Sequence, residues 1–276
     1  MNTTRYGLIT GAGSGLGRAL AVRLARDGWQ LALADIDPAG NAETLRLIEA
    51  AGGQGRCEPL DVRRLDEWQA LAERLQRDWP RLDLLVNNAG IGGSGEIGEL
   101  PVADWQATLE INLHGAYYGC HTFVDWLKQG APGTRIVNIA SVAGLIALPS
   151  SAAYSASKSG LMALSESLWM ELRPHGVGVT VVCPGFFPTE LLNRGRWTRP
   201  WQRDAADYWT THTRLTSERV AEAIVRAMAR DKFYLVLPAR ARWAWYFSRL
   251  WRTGLLGLCG WQYSRQRKAR GLRPEA

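Results

Sequence analysis

The sequence predicts an α/β fold: one domain on a doubly wound parallel sheet, followed by a basic, aromatic C-terminal tail. Three observations carry that prediction. Short apolar runs alternate with stretches of helical periodicity over roughly the first 240 residues, the pattern of βαβ units. Most of those runs are continuous rather than alternating, as strands are when a sheet is covered on both faces. The length, 276 residues, lets a single core bury roughly 70–75% of the unfolded surface, so no disulfide staple is needed.

In chain order, the apolar runs place strands at Tyr6–Thr10, Leu31–Asp35, Leu82–Asn87, Arg135–Ile139 and Gly178–Cys183, with a last strand at Phe233–Leu237. Between the first two, Leu16, Leu20 and Leu24 recur every four residues and predict a helix over Leu16–Asp27. Leu65, Trp68, Leu71 and Leu75 do the same for Leu65–Trp79. A long helix is expected from about Trp105 to Lys128, and another through Tyr154 to about Arg173. Phe186 to Thr216 reads as a long connection, rich in aromatic residues. No boundary or repeat interrupts residues 1–238, and the tail is set apart as residues 239–276.

Composition narrows the function classes. Hydrophobic residues at 46% and charged residues at 21% are ordinary globular values. The cysteines (Cys57, Cys120, Cys183, Cys259) are scattered, with no CxxC pair. Neither a zinc ribbon nor a disulfide framework follows, and a reducing cytoplasm is the expectation. His114, His121, His175 and His212 lack metal-ligand spacing, so no metal is expected. The N-terminal residues lack the apolar run of a signal peptide, and no stretch reaches 18 apolar residues. The net charge of +7 is concentrated: residues 232–276 hold ten Lys/Arg against Glu275 alone, leaving −2 over residues 1–231. The body therefore has no electrostatic reason to bind nucleic acid.

Thr10-Gly11-Ala12-Gly13-Ser14-Gly15-Leu16-Gly17 follows the first strand and opens the first helix. Strict G-x-G-x-x-G fails, because Arg18 stands where a third glycine would; T-G-x-x-x-G-x-G fits, through Gly11, Gly15 and Gly17. A tight turn that brings backbone close to a pyrophosphate at a helix N-terminus needs such residues. Asp35 ends the second strand, where a carboxylate accepts from ribose hydroxyls and repels a 2′-phosphate. Ile36 and Asp37 follow it, with no basic neighbour in sequence, so NAD is expected over NADP.

Tyr154-Ser155-Ala156-Ser157-Lys158 puts Tyr154 and Lys158 on one helix face. A phenol with a pKa of about 10 is a poor base at neutral pH, and a nearby ammonium favours its ionised form. Ser141, just past the Arg135–Ile139 strand, is placed to bond a substrate oxygen. Ser155-x-x-Lys158 formally matches a serine acylation motif but lacks the accompanying Lys-Thr-Gly.

Together the glycine loop, Asp61-Val62, Asn87-Asn88-Ala89-Gly90, Asn112, Ser141, Tyr154/Lys158 and Pro184-Gly185 resemble the short-chain dehydrogenase/reductase family in its compact single-domain branch, over about residues 5–237. The resemblance implies a Rossmann-type sheet in a homodimer or homotetramer, moving hydride between a nicotinamide cofactor and an alcohol or carbonyl. It implies Tyr154 as general acid/base, Lys158 as the group that lowers its pKa and binds ribose, Ser141 as orienter of the substrate oxygen, and Asn112 as holder of a relay water. For the cofactor it implies Gly11, Ser14, Gly15, Leu16 and Gly17 at the phosphates and Asp35 at the ribose. Asp61 and Val62 would meet the adenine, Asn87 with the Ala89-Gly90 backbone would flank the cofactor, and Pro184, Gly185, Phe187 and Thr189 would stand at the nicotinamide. Phe187 departs from the small β-branched residue commoner there. A noncatalytic NAD-responsive binding protein is the main alternative, and a nucleotide-sugar epimerase a second.

The aromatic connection suits a bulky, lipophilic substrate, or else its rings pack on one another. In the tail, Trp243, Tyr246, Phe247, Leu250, Leu258 and Trp261 recur at helical spacing among arginines, while Gly254, Gly257 and Gly260 predict a bent or broken helix. Such a segment suits the cytoplasmic face of a membrane as a peripheral anchor; docking on the body is the other reading.

Overall fold

The computed structural model describes residues 4–270. Its elements are β1 (Arg5–Thr10), α1 (Gly15–Ala25), β2 (Trp29–Asp35), α2 (Pro38–Ala50), β3 (Gln54–Pro59), α3 (Leu65–Asp78), β4 (Leu84–Asn87) and β5 (Gly93–Ser94). Then come α4 (Val102–Leu109), a π-helical turn at Glu110–His114, α5 (Gly115–Gly130), β6 (Arg135–Ile139), α6 (Val142–Leu145), α7 (Ala152–Leu172) and β7 (Gly178–Pro184). The chain continues through β8 (Arg196–Trp197), α8 (Pro200–Thr211), α9 (Ser217–Ala229), β9 (Tyr234–Leu237), α10 (Ala239–Leu250) and α11 (Arg252–Ala269).

Seven strands form one parallel sheet in the order β3-β2-β1-β4-β6-β7-β9. The chain runs outward from β1 to β3, then crosses back to place β4 on the other side of β1. That reversal leaves a crevice at the carboxyl ends of β1 and β4, where ligands of such sheets bind. Alternate side chains feed opposite layers. Ile9, Leu31 and Leu33 meet Leu16, Leu20, Leu24, Val220 and Ile224 of α1 and α9. Leu8, Ala32 and Ala34 meet the layer of α3, α5 and α7, where Trp68 and Phe123 pack edge to face at 6.1 Å.

β3 falls on no predicted strand. It is the polar edge strand QGRCEP, and its buried Glu58 is paired with Arg56 at 2.9 Å and Arg74 at 3.1 Å. An edge strand of mostly polar residues carries no apolar run to find. The expected single helix over Trp105–Lys128 is α4, the π turn and α5 in succession. The connection from Phe186 contains structure of its own: β8 pairs with β5, and α8 follows. Its aromatics pack partly on one another, Phe186 against Trp209 and Tyr208 against His212.

The tail is a broken helix, but the break is at Trp251 and not at the glycines: Gly254, Gly257 and Gly260 all lie inside the continuous α11. It lies on the body. Trp245 of α10 is buried against Tyr234, ring centroids 4.9 Å apart, in a cluster with Leu161, Val181 and Val236. No helix among the described residues is long and apolar enough to cross a membrane.

Candidate functional site

The glycine turn connects β1 to α1 at the crevice. Gly11 has φ +63°, and a Cβ there would stand 2.8 Å from Asn88 Nδ2; a Cβ on Gly17 would run into the Gly11 carbonyl. Backbone contact this close excludes larger residues. Ser14 is the N-cap of α1, yet its side chain caps nothing. The first amides of α1 thus lack a side-chain acceptor and form a seat for an anion. Ser14, Gly15 and Thr189 line a groove of about 370 Å³ shared with Arg18 and Asn193. The Leu16 side chain is buried in the core, leaving its backbone for the groove.

Asp35 sits at the end of β2, 7% exposed. Its Oδ2 accepts from the Gly13 amide at 2.8 Å and its Oδ1 from the Asp37 amide at 2.9 Å. Absence of a basic neighbour holds along the chain but not in space. Arg194, on the stretch between β7 and β8, pairs with Asp37 at 2.7 Å and reaches within 4.0 Å of Asp35. The Asp37 carboxyl is held below its ordinary value first by the Gly40 amide and then by Arg194.

Across the crevice, Val62 packs against Gly115, and Asp61 is paired with Arg63 at 2.5 Å, which holds its carboxyl below the usual range. In the Asn87–Gly90 turn the two asparagines divide the work. Asn87 points away from the crevice, donating to Asn138 Oδ1 at 2.8 Å and facing Cys120. Only its backbone is left for the cofactor side. Asn88, which the sequence reading left without a role, donates from Nδ2 to the carbonyls of Thr10 (2.9 Å) and Gly11 (3.1 Å) and so fixes the glycine turn. The Gly90 backbone passes beside Asn112 and Lys158.

Tyr154 and Lys158 share one face of α7, the Lys158 Nζ 5.7 Å from the centre of the Tyr154 ring. Lys158 is 3% exposed and donates to the Ile139 carbonyl at 2.8 Å. Burial pulls its pKa down to about 8, opposed by Cys183. Burial pushes the Tyr154 phenol up, and the nearby Ser141 hydroxyl pulls it partly back. Ser141 caps α6 by accepting from the Ala143 amide at 3.1 Å. Asn112 lies in the π turn, a widened turn common at functional sites. It accepts from the Ile91 amide at 2.8 Å and donates to the Ile91 carbonyl at 3.0 Å and Ser157 Oγ at 3.1 Å.

Pro184 ends β7 and Gly185 follows it, the Gly185 amide donating to the Leu237 carbonyl at 2.7 Å. The Phe187 ring, expected at the nicotinamide, is buried with Leu16 and Val220 in the core. Its large apolar side chain gains more there than in an open groove. Tyr154 lines a small cavity of about 10 Å³ together with Ser94, Leu100, Asp104, Ser150 and Arg196. Arg196 and Asp104 are ion-paired across it, and Arg199 bonds Glu99 at 2.9 Å.

The chain has relatives among known proteins. The family model described as short chain dehydrogenase matches residues 6–199. The chain belongs to the short-chain dehydrogenase/reductase family. Within that family it resembles a short-chain dehydrogenase/reductase from Burkholderia phymatum solved with NAD, at TM-score 0.79 and 32% identity over 84% of this chain and 88% of that one. A short-chain dehydrogenase from Sphingobium yanoikuyae solved with NADPH matches at TM-score 0.76 and 26% identity, over 92% and 95% of the two chains. A 3beta-hydroxysteroid dehydrogenase from Mediterraneibacter gnavus is 35% identical over 68% of this chain and 67% of that protein. The probable oxidoreductase EphD of Mycobacterium tuberculosis is 34% identical over 81% of this chain; the match spans only 39% of that relative's length.

Proposed function

We propose that the protein is an oxidoreductase that moves hydride between NAD and the alcohol or carbonyl carbon of a lipophilic substrate. One observation carries the reading: Tyr154, near enough to Ser141 to feel its hydroxyl and sharing a helix face with buried Lys158, stands on the same crevice as a glycine turn and Asp35 fit for a dinucleotide. The uncapped amides of α1 suit a pyrophosphate, and the Asp35 carboxylate suits ribose hydroxyls. When bound, the nicotinamide gives or takes the hydride. Tyr154 Oη exchanges the proton with the substrate oxygen, and Ser141 Oγ orients that oxygen. The Lys158 ammonium favours the ionised phenol. Asn112 keeps Ile91 and Ser157 in place beside it and is the candidate holder of a relay water.

NAD is preferred in this reading because Asp35 repels a 2′-phosphate; Arg194 moderates that preference. The apolar residues around the connection after β7 and the hydroxysteroid dehydrogenase among the relatives support a lipophilic substrate. The protein in this reading is cytoplasmic and homo-oligomeric, with its tail at a membrane surface. NAD+ reduction over alcohols of increasing chain length, plus a sterol, tests the chemistry. Turnover should rise with apolar size and fall by about 10²–10⁴-fold in Tyr154→Phe. Turnover confined to small polar alcohols would refute the lipophilic reading. Bound NAD without turnover would favour a binding role.

A further inference from the structure

The two tail helices have two faces with different chemistry. The inner face is occupied. Besides Trp245 of α10, Tyr263 of α11 donates to Glu96 at 2.5 Å, and Arg267 pairs with the same carboxylate at 3.1 Å. The Tyr263 ring lies 6.0 Å from Trp201, which Arg270 covers from 5.2 Å. Burial, with Glu96 beside it, pushes the Tyr263 phenol up to about 12. Glu96 follows Ser94 and Gly95, which bond the Ser150 carbonyl at the wall of the cavity beside Tyr154.

The outer face is open. Trp243, Phe247 and Trp251 follow one another at four-residue steps, with Leu250, three residues after Phe247, 88% exposed. Phe247 and Trp251 pack edge to face at 5.7 Å, so the stripe continues through the helix break. Trp261 carries it along α11, with the Arg265 guanidinium 4.8 Å from its ring. Residues 239–270 contain eight Lys/Arg and no Asp or Glu. Exposed apolar surface this concentrated marks an interaction site. Arg267 and Arg270 are taken up by the inner face; a second copy presenting the outer face would still set the tail's remaining cations against like charges. Tryptophan rings among arginines match the headgroup layer of an anionic bilayer, where rings bury at the interface and each cation meets lipid charge.

We propose that the outer face of α10 and α11 is an anchor that lays the protein on an anionic bilayer surface, with α11 tied through Glu96 to the β5 segment that lines the small cavity beside Tyr154. The anchor itself follows from the tail; only its use, delivery of substrate from lipid, rests on the lipophilic reading above. Sedimentation of the full chain with phosphatidylcholine vesicles, with and without about one third phosphatidylserine, tests it. Binding should be at least tenfold stronger to the anionic vesicles and weaken in high salt. Trp243→Gln/Leu250→Gln/Trp261→Gln should lose at least tenfold, with circular dichroism and unfolding temperature unchanged because these side chains are exposed. Full-length protein left in the supernatant with anionic vesicles overturns the proposal, as does binding that the triple variant leaves intact. A concentration-dependent dimer that the triple variant dissociates, with no vesicle binding, assigns the face to a second copy instead. Because no step requires turnover, an inactive protein that binds vesicles would cost the oxidoreductase reading and leave the anchor.

Discussion

Replacing Lys158 by methionine separates the electrostatic cost of the site from its chemistry. The ammonium is buried, and its pKa falls from 10.5 to about 8 in the fold. Between those values the unfolded chain holds the proton that the folded chain has released, so wild-type stability rises with pH relative to a variant lacking the group. The folded pKa is the depressed one, so the penalty is full below about pH 8 and fades as pH approaches the unfolded value. From about pH 7.5 to about 9.5 the wild type should gain about 2 kcal/mol on Lys158→Met. Methionine also leaves the Ile139 carbonyl without its 2.8 Å donor, a constant offset of about 1–3 kcal/mol. Urea unfolding of the two cofactor-free proteins at several pH values gives the difference directly, since most other titrating groups are shared. A difference that stays flat across this range would refute a desolvated ammonium. The variant should also lose turnover, because the phenol loses its cation.

Two further substitutions probe the cofactor side. Asp35→Asn keeps the shape but removes the charge facing the ribose, so NADP affinity should rise at least tenfold relative to NAD, with Arg194 then 4.0 Å from a neutral amide; titration with both dinucleotides measures it, and an unchanged ratio would assign the preference elsewhere. Asn88→Ala removes both bonds to the glycine turn. It should cost about 1–3 kcal/mol in urea unfolding and weaken NAD binding, whereas a loss of stability alone would make Asn88 purely structural.

The sheet was legible where burial dictates composition. Strands covered on both faces must be apolar, so β1, β2, β6 and β7 stand out as runs. β3 does not, because its residues answer to solvent and to Arg56 and Arg74 rather than to a core. At the site, motif spacing placed Tyr154 and Lys158 together because both lie on one helix, and spacing along a helix is geometry. Asn88 and Arg194 were missed for the opposite reason. The sequence reading gave Asn87 the cofactor side, but adjacent side chains on a strand end face opposite ways, and the fold turns Asn87 to the core and Asn88 to the glycine turn. Arg194 reaches Asp37 across 157 residues of sequence, a meeting no local pattern encodes.

The π turn at Glu110–His114 is also a change of phase. An α-helix advances about 100° per residue, so a widened turn rotates everything after it relative to everything before. α4 and α5 therefore form one rod whose two halves are out of step. That offset lets Asn112 face Ile91 and Ser157 while Gly115 and Gly119 close on Val62 and Trp68. A chain one residue shorter in this turn would regain a regular helix and would have to choose: keep the asparagine aimed at the site, or keep α5 seated on α3.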